Sequence, residues 1–308
     1  MAPESRILFS ERIIMHRSGF VALIGRPNVG KSTLLNALVG EKVAIISDRP
    51  QTTRNQIRAV LTRPEFQVIF IDTPGLHKPK HLLGSSMVHT ARTTMQEVDL
   101  VCFLVEANEA PGQGDRYITE ILGVVKSPLF LILNKIDLIS REKLAVNTEL
   151  YRQLCSFKAH FALSALKKID LNPLVEAVLE YLPEGPQYYP PDMITDQPER
   201  FIAAEIIREK IIYLTRQEIP FSVAVVIEDM KTREHSDLLD IRAEIYVERK
   251  SQVGIVVGKS GLLLKEVGTM ARHELEALFG QHIFLDLRVK VKPAWRNREE
   301  ELRRLGYS

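Results

Sequence analysis

The chain has 308 residues, of which 45 % are hydrophobic and 26 % charged, and its formal net charge is +2. These are the values of an ordinary soluble globular protein with room for two domains. The chain has only two cysteines, which excludes a disulfide-rich scaffold. No apolar run approaches the length of about 18 residues that a transmembrane helix needs. The net charge is too small to indicate nucleic-acid binding by itself.

The N-terminal segment contains no signal-peptide core, because charged residues interrupt it: Glu4, Arg6, Glu11 and Arg12. Residues 1–16 match nothing downstream and are interpreted as a disordered extension. Cys102 and Cys155 do not form a C-x-x-C pair, a usage typical of a reducing cytosol, so a cytoplasmic location is predicted.

Residues 17–184 alternate strand and helix patterns, which predicts a three-layer α/β domain. Two runs, 99–106 and 129–133, are continuously apolar, as buried parallel strands are. Residues 57–61 alternate apolar and other side chains, which favours a strand nearer the edge. The candidate strands are 20–25, 56–62, 66–72, 99–106, 129–134 and 160–163.

The pattern G-x-x-x-x-G-K-S spans residues 25–32 and follows an apolar strand. This spacing is that of the phosphate loop of nucleoside triphosphatases, in which backbone N–H groups curl around phosphate oxygens. Lys31 is expected to reach the β- and γ-phosphates, and the Ser32 hydroxyl to bind Mg²⁺. The alternative is an ordinary glycine-rich turn, which the preceding strand and following helix disfavour. The predicted contacts are Gly25, Arg26, Pro27, Asn28, Val29, Gly30, Lys31, Ser32 and Thr33.

Further motifs end other strands, where ligands bind in open α/β sheets. Asp72 begins D-T-P-G, whose Asp can hold Mg²⁺ through water and whose glycine N–H can touch a γ-phosphate; alone, the motif also fits a simple turn. Asp137 ends N-K-I-D and can accept two N–H bonds from guanine, a donor pair that adenine lacks. The predicted contacts are Asp72, Thr73, Pro74, Gly75, Leu76, Asn134, Lys135, Ile136, Asp137, Ser164, Ala165 and Leu166.

Two switch segments are predicted around the phosphate loop. Q-T-T-R lies between the loop and Asp72, and one of its threonines would complete Mg²⁺ coordination; Thr53 is favoured over Thr52. The first switch comprises Gln51, Thr52, Thr53, Arg54 and Asn55. Residues 76–95 are polar and basic, and are predicted to be a flexible loop that moves with the γ-phosphate.

A proline-rich linker, 185–198, separates the two domains, and Asp196 with Glu199 is interpreted as a capping box for the next helix. The second domain is predicted over 199–293, with the order helix, two strands, short helix, G-x-x-G, helix and strand. A C-terminal tail is predicted over 294–308. The predicted helices are 199–217, 252–257 and 262–279, and the last strand alternates over 285–291.

This order of elements around G-K-S-G resembles a type II KH domain, in which the glycines let an RNA backbone approach and the helix N-terminus adds positive potential. Basic residues on the last strand add local evidence. The alternative is a solvated strand face, which the neighbouring G-x-x-G loop disfavours. The predicted RNA contacts are Gly258, Lys259, Ser260, Gly261, Lys265, Arg288, Lys290 and Lys292.

Together, G-x-P-N-V-G-K-S, Q-T-T-R, D-T-P-G and N-K-x-D in this order resemble the Era family of GTPases, from residue 17 onward. The resemblance implies a P-loop, Ras-like α/β GTPase domain with one antiparallel strand, followed by an α+β type II KH domain. It implies GTP as substrate with Mg²⁺, binding of the 3′ end of 16S rRNA, and a role in small (30S) ribosomal subunit assembly. It also implies a monomer and peripheral association with the inner face of the cell membrane.

Two residues bear on the mechanism. Leu76 stands where many Ras-like enzymes have a water-orienting glutamine, so hydrolysis is expected to be slow unaided. Asn28 resembles the asparagine of potassium-activated relatives, which makes K⁺ a candidate second cation. The alternatives are a nucleotide-gated RNA-binding module with no required catalytic role, a GTPase that assists RNA modification, and a P-loop kinase or ATPase, which Asn134 and Asp137 argue against.

Overall fold

The computed structural model describes residues 16–49, 51–79, 81–216 and 219–307, so the predicted extension lies almost entirely outside the described residues. The strands of the first domain lie nearly where the apolar pattern predicts them. The strands are β1 (Arg17–Gly25), β2 (Ile57–Arg63), β3 (Phe66–Asp72), β4 (Leu100–Glu106), β5 (Leu129–Asn134), β6 (Ala159–Ala162), β7 (Ala224–Thr232), β8 (Leu238–Val247) and β9 (His282–Val291).

The described residues contain ten α-helices. They are α1 (Lys31–Val39), α2 (Leu82–Gln96), α3 (Gln113–Leu122), α4 (Arg141–Arg152), α5 (Leu171–Tyr181), α6 (Glu199–Leu214), α7 (Ile219–Ser222), α8 (Lys250–Val257), α9 (Leu262–Phe279) and α10 (Glu299–Arg304). The loop predicted over 76–95 was too long, because α2 begins at residue 82. Two buried residues of α2, Leu83 and Met87, pack against the C-terminal segment, which comprises residues 294–307. The composition of residues 76–95 alone does not reveal this contact.

The first domain is a six-stranded sheet in the order β2-β3-β1-β4-β5-β6 with helices on both faces. β2 pairs antiparallel with β3, and the other pairs are parallel, as expected of a Ras-like fold. The alternating strand β2 is indeed at the edge. The apolar side chains form one core on each face of the sheet, so the strands' carboxyl ends are rigidly held.

The linker packs along the first domain. Ile194 O accepts a hydrogen bond from Val60 N of β2 at 2.8 Å. Asp196 accepts from Arg58 at 2.9 Å and from the Tyr189 hydroxyl at 3.0 Å. The capping-box interpretation of Asp196 was therefore wrong: α6 begins after Pro198 without a side-chain cap.

The second domain is a three-stranded sheet, β7-β8-β9, in which β8 and β9 run parallel. Helices α6 and α9 cover one face, where every second residue of each strand is apolar. The C-terminal segment returns across the other face and places Trp295 and Tyr307 between this sheet and α2. The predicted tail is thus an ordered part of the contact between domains.

Candidate nucleotide and RNA sites

The phosphate loop connects β1 to α1, and its two glycines are required by close packing. A Cβ on Gly25 would lie 2.5 Å from Leu104 O; on Gly30, whose φ is +99°, it would lie 2.3 Å from Asn134 Nδ2. Lys31 is buried and its Nζ donates to Arg26 O at 2.9 Å. Burial lowers the pKa of the Lys31 ammonium, which Asp72 opposes. The loop therefore has the shape and the charge of an anion-binding site.

Three oxygen-bearing side chains converge beside this loop. Ser32 Oγ donates to Asp72 Oδ2 at 2.6 Å, Thr53 Oγ1 donates to the same oxygen at 3.0 Å, and the two hydroxyls are 2.9 Å apart. Asp72 Oδ1 is buried and has no hydrogen-bond partner among the described residues. Burial raises the pKa of the Asp72 carboxyl, while Lys31 and both hydroxyls lower it. A buried acceptor without a partner next to two hydroxyls fits a hard divalent cation such as Mg²⁺.

The residues after Asp72 are fixed against the phosphate loop. A Cβ on Gly75 would lie 2.7 Å from Pro27 N, so only glycine allows this approach. Leu76 N donates to Gly25 O at 3.1 Å, while its side chain is buried in the core and cannot face a reacting water. His77 Nε2 is 3.0 Å from Gln51 Nε2, which joins the two predicted switches.

The base-recognition motifs meet at the ends of β5 and β6. Asn134 Nδ2 donates to Val29 O at 2.8 Å, and Asn134 Oδ1 accepts from Ala165 N at 3.0 Å, so one amide ties three motifs together. Ser164 Oγ donates to Asp137 Oδ1 at 2.5 Å, while the Asp137 side chain remains exposed. The carboxylate is oriented yet free to accept further hydrogen bonds.

These motifs enclose one cavity of about 300 Å³. Its lining includes the predicted Pro27, Asn28, Gly30, Lys31, Ser32, Thr33, Gln51, Thr52, Thr53, Gly75, Asn134, Lys135, Asp137 and Leu166. Other predicted residues hold the loops that form the cavity without lining it. Arg26 is ion-paired with Glu109 and Asp115, and the Thr73 hydroxyl donates to Leu23 O.

Sequence reasoning missed one wall of the cavity, formed by residues 45–48 and Leu138. Asn28 Nδ2 donates to Asp48 O at 2.6 Å, which holds that wall against the phosphate loop. The position of this segment could have been predicted from its place in the chain, because the residues that lead from α1 to Thr53 must pass beside the nucleotide. No motif identifies its residues individually.

The G-x-x-G turn joins α8 to α9, and three of its residues, Gly258, Ser260 and Gly261, have φ between +52° and +78°. Beside it lies a groove of about 480 Å³ between α9 and the edge strand β9. Its lining is Gly261, Leu264, Lys265, Gly268, Thr269, Arg272, Ile283, Phe284, Leu285 and Leu287. An open glycine turn leading into an apolar groove with cationic rims suits a single-stranded backbone.

The basic residues predicted to contact RNA on β9 and just after it lie outside this groove. Leu285, Leu287 and Val289 pack toward the helices, so Arg288 and Lys290 alternate onto the opposite face. Arg288 pairs with Asp286, Lys290 with Glu244, and Lys292 with Glu301. Their RNA contacts stay a prediction, because the structure places them outside the groove and beside carboxylates.

Comparison with known proteins covers both domains. A family described as 50S ribosome-binding GTPase matches residues 20–135, and one described as KH domain matches residues 218–296. The chain is 51 % identical to GTPase Era of Alkaliphilus metalliredigens over 292 residues, covering 95 % of this chain and 99 % of that protein. It is 50 % identical to GTPase Era of Staphylococcus haemolyticus, covering 95 % and 97 %.

Two solved structures resemble the whole molecule. One is an Era variant of Aquifex aeolicus bound to GDP and AlF4⁻, with a TM-score of 0.91 at 41 % identity. The other is an Era in complex with MgGDPNP and nucleotides 1506–1542 of 16S ribosomal RNA, with a TM-score of 0.93 at 42 % identity. Each match covers 95 % of this chain and 99 % of the other.

Proposed function

The chain belongs to the Era family of GTPases and is a GTP-hydrolysing enzyme with a KH domain, and from this premise we propose how it uses its two sites. GTP binds with Mg²⁺ in the cavity of the first domain. The 3′ end of 16S rRNA binds in the groove of the second, in the course of small-subunit assembly. The observation that carries the proposal is the end-to-end similarity to a relative that holds MgGDPNP and that RNA together.

The residues of the first domain divide the work on GTP. The phosphate-loop amides and Lys31 bind the phosphates, while Ser32, Thr53 and Asp72 hold Mg²⁺, which neutralises charge on the phosphate oxygens when bound. Asp137, oriented by Ser164, accepts the guanine N–H groups. Since Leu76 points into the core, another group must orient the attacking water, and turnover is slow unaided.

The second domain binds RNA through shape and charge. The G-x-x-G turn admits the backbone beside Lys259, and Lys265 and Arg272 line the groove into which it continues. Because KH domains read unpaired bases, the binding segment is single-stranded. Nucleotide-gated RNA binding is the second candidate function, favoured by direct contacts between the first switch and the second domain.

The finer expectations rest mainly on family resemblance. We propose K⁺ at Asn28, whose side chain joins the phosphate loop to Asp48. We also propose a cytoplasmic monomer that associates peripherally with the inner membrane face. Among the residues that the structure describes, every helix is too short or too polar to span a bilayer.

A binding titration tests the proposal. The full chain is titrated at one fixed salt concentration with an RNA copying the 3′ end of 16S rRNA and with a scrambled RNA, in GDP and in a non-hydrolysable GTP analogue. Tighter binding to the matched RNA supports the RNA assignment, and a difference between nucleotides supports gating. Equal binding of matched and scrambled RNA contradicts the assignment of the second domain's partner.

A further inference from the structure

Three consecutive residues of the first switch face two different domains. The Thr53 hydroxyl points to Ser32 and Asp72, at the proposed Mg²⁺ site. Immediately before it, Thr52 O accepts a hydrogen bond from Arg208 of α6; immediately after it, Arg54 inserts into the second domain. The residue that reaches the metal site is therefore held on both sides by groups from outside the GTPase domain.

Arg54 is enclosed in a cage of carbonyl oxygens and aromatic rings, and only 3 % of its surface is exposed. Its guanidinium donates to three main-chain oxygens: Val223 O at 2.7 Å, Pro220 O at 3.1 Å and Phe221 O at 3.2 Å. The rings of Trp295 and Tyr307 lie over it, with centroids 5.6 and 5.5 Å away. Withdrawing a desolvated cation from such a site is costly, because its hydrogen bonds and ring contacts are lost together.

The cage is itself anchored to both domains. Trp295 Nε1 donates to Ser222 O at 2.9 Å, and the Trp295 and Tyr307 rings stack with centroids 5.7 Å apart. Tyr307 O accepts from the Ser86 hydroxyl of α2 at 2.7 Å. The C-terminal segment thus contacts the first switch through Arg54 and the helix after the second switch through Ser86.

Arg208 supplies the second restraint. It is fully buried in α6, where its guanidinium pairs with Glu205. The next residue, Glu209, accepts from Ile46 N at 2.9 Å and from Lys42 at 2.6 Å, so α6 also holds the segment that precedes the first switch. Because the buried, ion-paired guanidinium of Arg208 donates to Thr52 O, it fixes the backbone position of Thr52.

We propose that Arg54, Arg208 and the aromatic pair Trp295–Tyr307 are positioning residues for the GTP site: they hold the Thr53 hydroxyl where it binds Mg²⁺ when the γ-phosphate is present. This inference rests on the proposed function, in which Thr53 is a Mg²⁺ ligand for GTP. By linkage, GTP must strengthen the docking of the C-terminal segment by the same factor by which the docked segment strengthens GTP binding. GDP, without a γ-phosphate, does not engage Thr53 and is not coupled.

Arg54→Met tests the proposal, because methionine keeps much of the side-chain length but loses the guanidinium. Dissociation constants are measured for GDP and for a non-hydrolysable GTP analogue, both with Mg²⁺. Affinity for the analogue should fall roughly tenfold, within the ~5–150-fold range usual for coupled sites, while GDP affinity changes little. Trp295→Leu should act in the same direction. Arg49→Met is the matched control. The Arg49 side chain is 40 % exposed, and its Nε lies 3.8 Å from Asp48 Oδ1, a longer contact than those of Arg54.

A double-mutant cycle separates positioning from general damage. If Arg54 acts through Thr53, Arg54→Met should cause no further loss of analogue affinity in a Thr53→Ala background. Additive losses, equal losses for GDP and the analogue, or no loss in the single variant would each overturn the proposal. If Thr53→Ala itself leaves analogue binding intact, the proposed Mg²⁺ ligand is wrong as well, so the two failures are distinguishable.

Hydrogen exchange gives an independent readout at the other end of the coupling. The amides of Leu305 and Tyr307 are bonded to Glu301 O and Leu302 O in the docked segment. Their exchange should be slower in the analogue than in GDP in the full-length protein, and this difference should vanish in Arg54→Met. Identical exchange in both nucleotides would overturn the coupling.

Discussion

Guanine selectivity offers the sharpest test of the nucleotide site, through Asp137→Asn. One oxygen of this carboxylate accepts from Ser164 at 2.5 Å, and the side chain is otherwise exposed toward the cavity. The substitution replaces a carboxylate that faces two N–H donors by an amide whose NH₂ group opposes one of them. The opposed hydrogen bond is lost, and the other becomes a neutral one. Hydrogen bonds to charged groups contribute about 1.5–3 kcal/mol each and neutral ones about 0.5–1.5 kcal/mol, so the substitution costs about 2.5–4.5 kcal/mol.

That loss corresponds to a fall in GDP affinity of about 10²–10³-fold. Xanthine has a carbonyl where guanine has its amino group, so the amide NH₂ should bind it, and preference should reverse toward xanthosine diphosphate. The assay is displacement of a fluorescent guanine nucleotide by each diphosphate. Asp170→Asn is the matched control, because Asp170 precedes α5 and makes no capping hydrogen bond. A variant that still prefers GDP would refute the assignment of Asp137.

Three further outcomes follow from the geometry. Gly30→Ala should abolish nucleotide binding, because the backbone φ there is +99° and the added Cβ would lie 2.3 Å from Asn134 Nδ2. Circular dichroism checks that the variant is folded. Normal nucleotide binding would contradict the packing described. Asp72→Asn should eliminate the Mg²⁺ dependence of GTP-analogue affinity, because an amide is a poorer ligand for Mg²⁺ than a carboxylate; retained dependence would argue against this metal site. Lys259→Asp should weaken matched and scrambled RNA alike and reduce the salt slope of binding by about 1–2, with GDP affinity as the control; an unchanged slope would place the phosphate contact elsewhere.

Motifs with fixed local spacing could be placed from the sequence because their geometry is local. The phosphate loop and the two strand-end motifs occur where predicted, and their order along parallel strands brings them to one edge of the sheet. Periodicity also gave the correct edge strand, because β2 alternates whereas the central strands do not.

The contacts that could not be predicted from the sequence join residues far apart in the chain. Arg54 is 241 and 253 residues from the rings that enclose it, and no periodic pattern records such a contact. Lys290 is predicted to contact RNA, and its ion pair with Glu244 on the neighbouring strand is a second such contact. Helix α2 was read as a loop because its polar composition hides the two apolar residues that the C-terminal segment covers.

The linker's hydrogen bond to the edge strand has a practical consequence for dividing the protein. Val60 N of β2 is paired with Ile194 O, and β2 otherwise ends the sheet on that side. An uncovered edge strand is a template for pairing with another chain and promotes aggregation. A fragment cut at residue 184 would uncover this edge, whereas one extended to residue 198 would keep it shielded. The linker therefore shields part of the sheet edge as well as connecting the two domains.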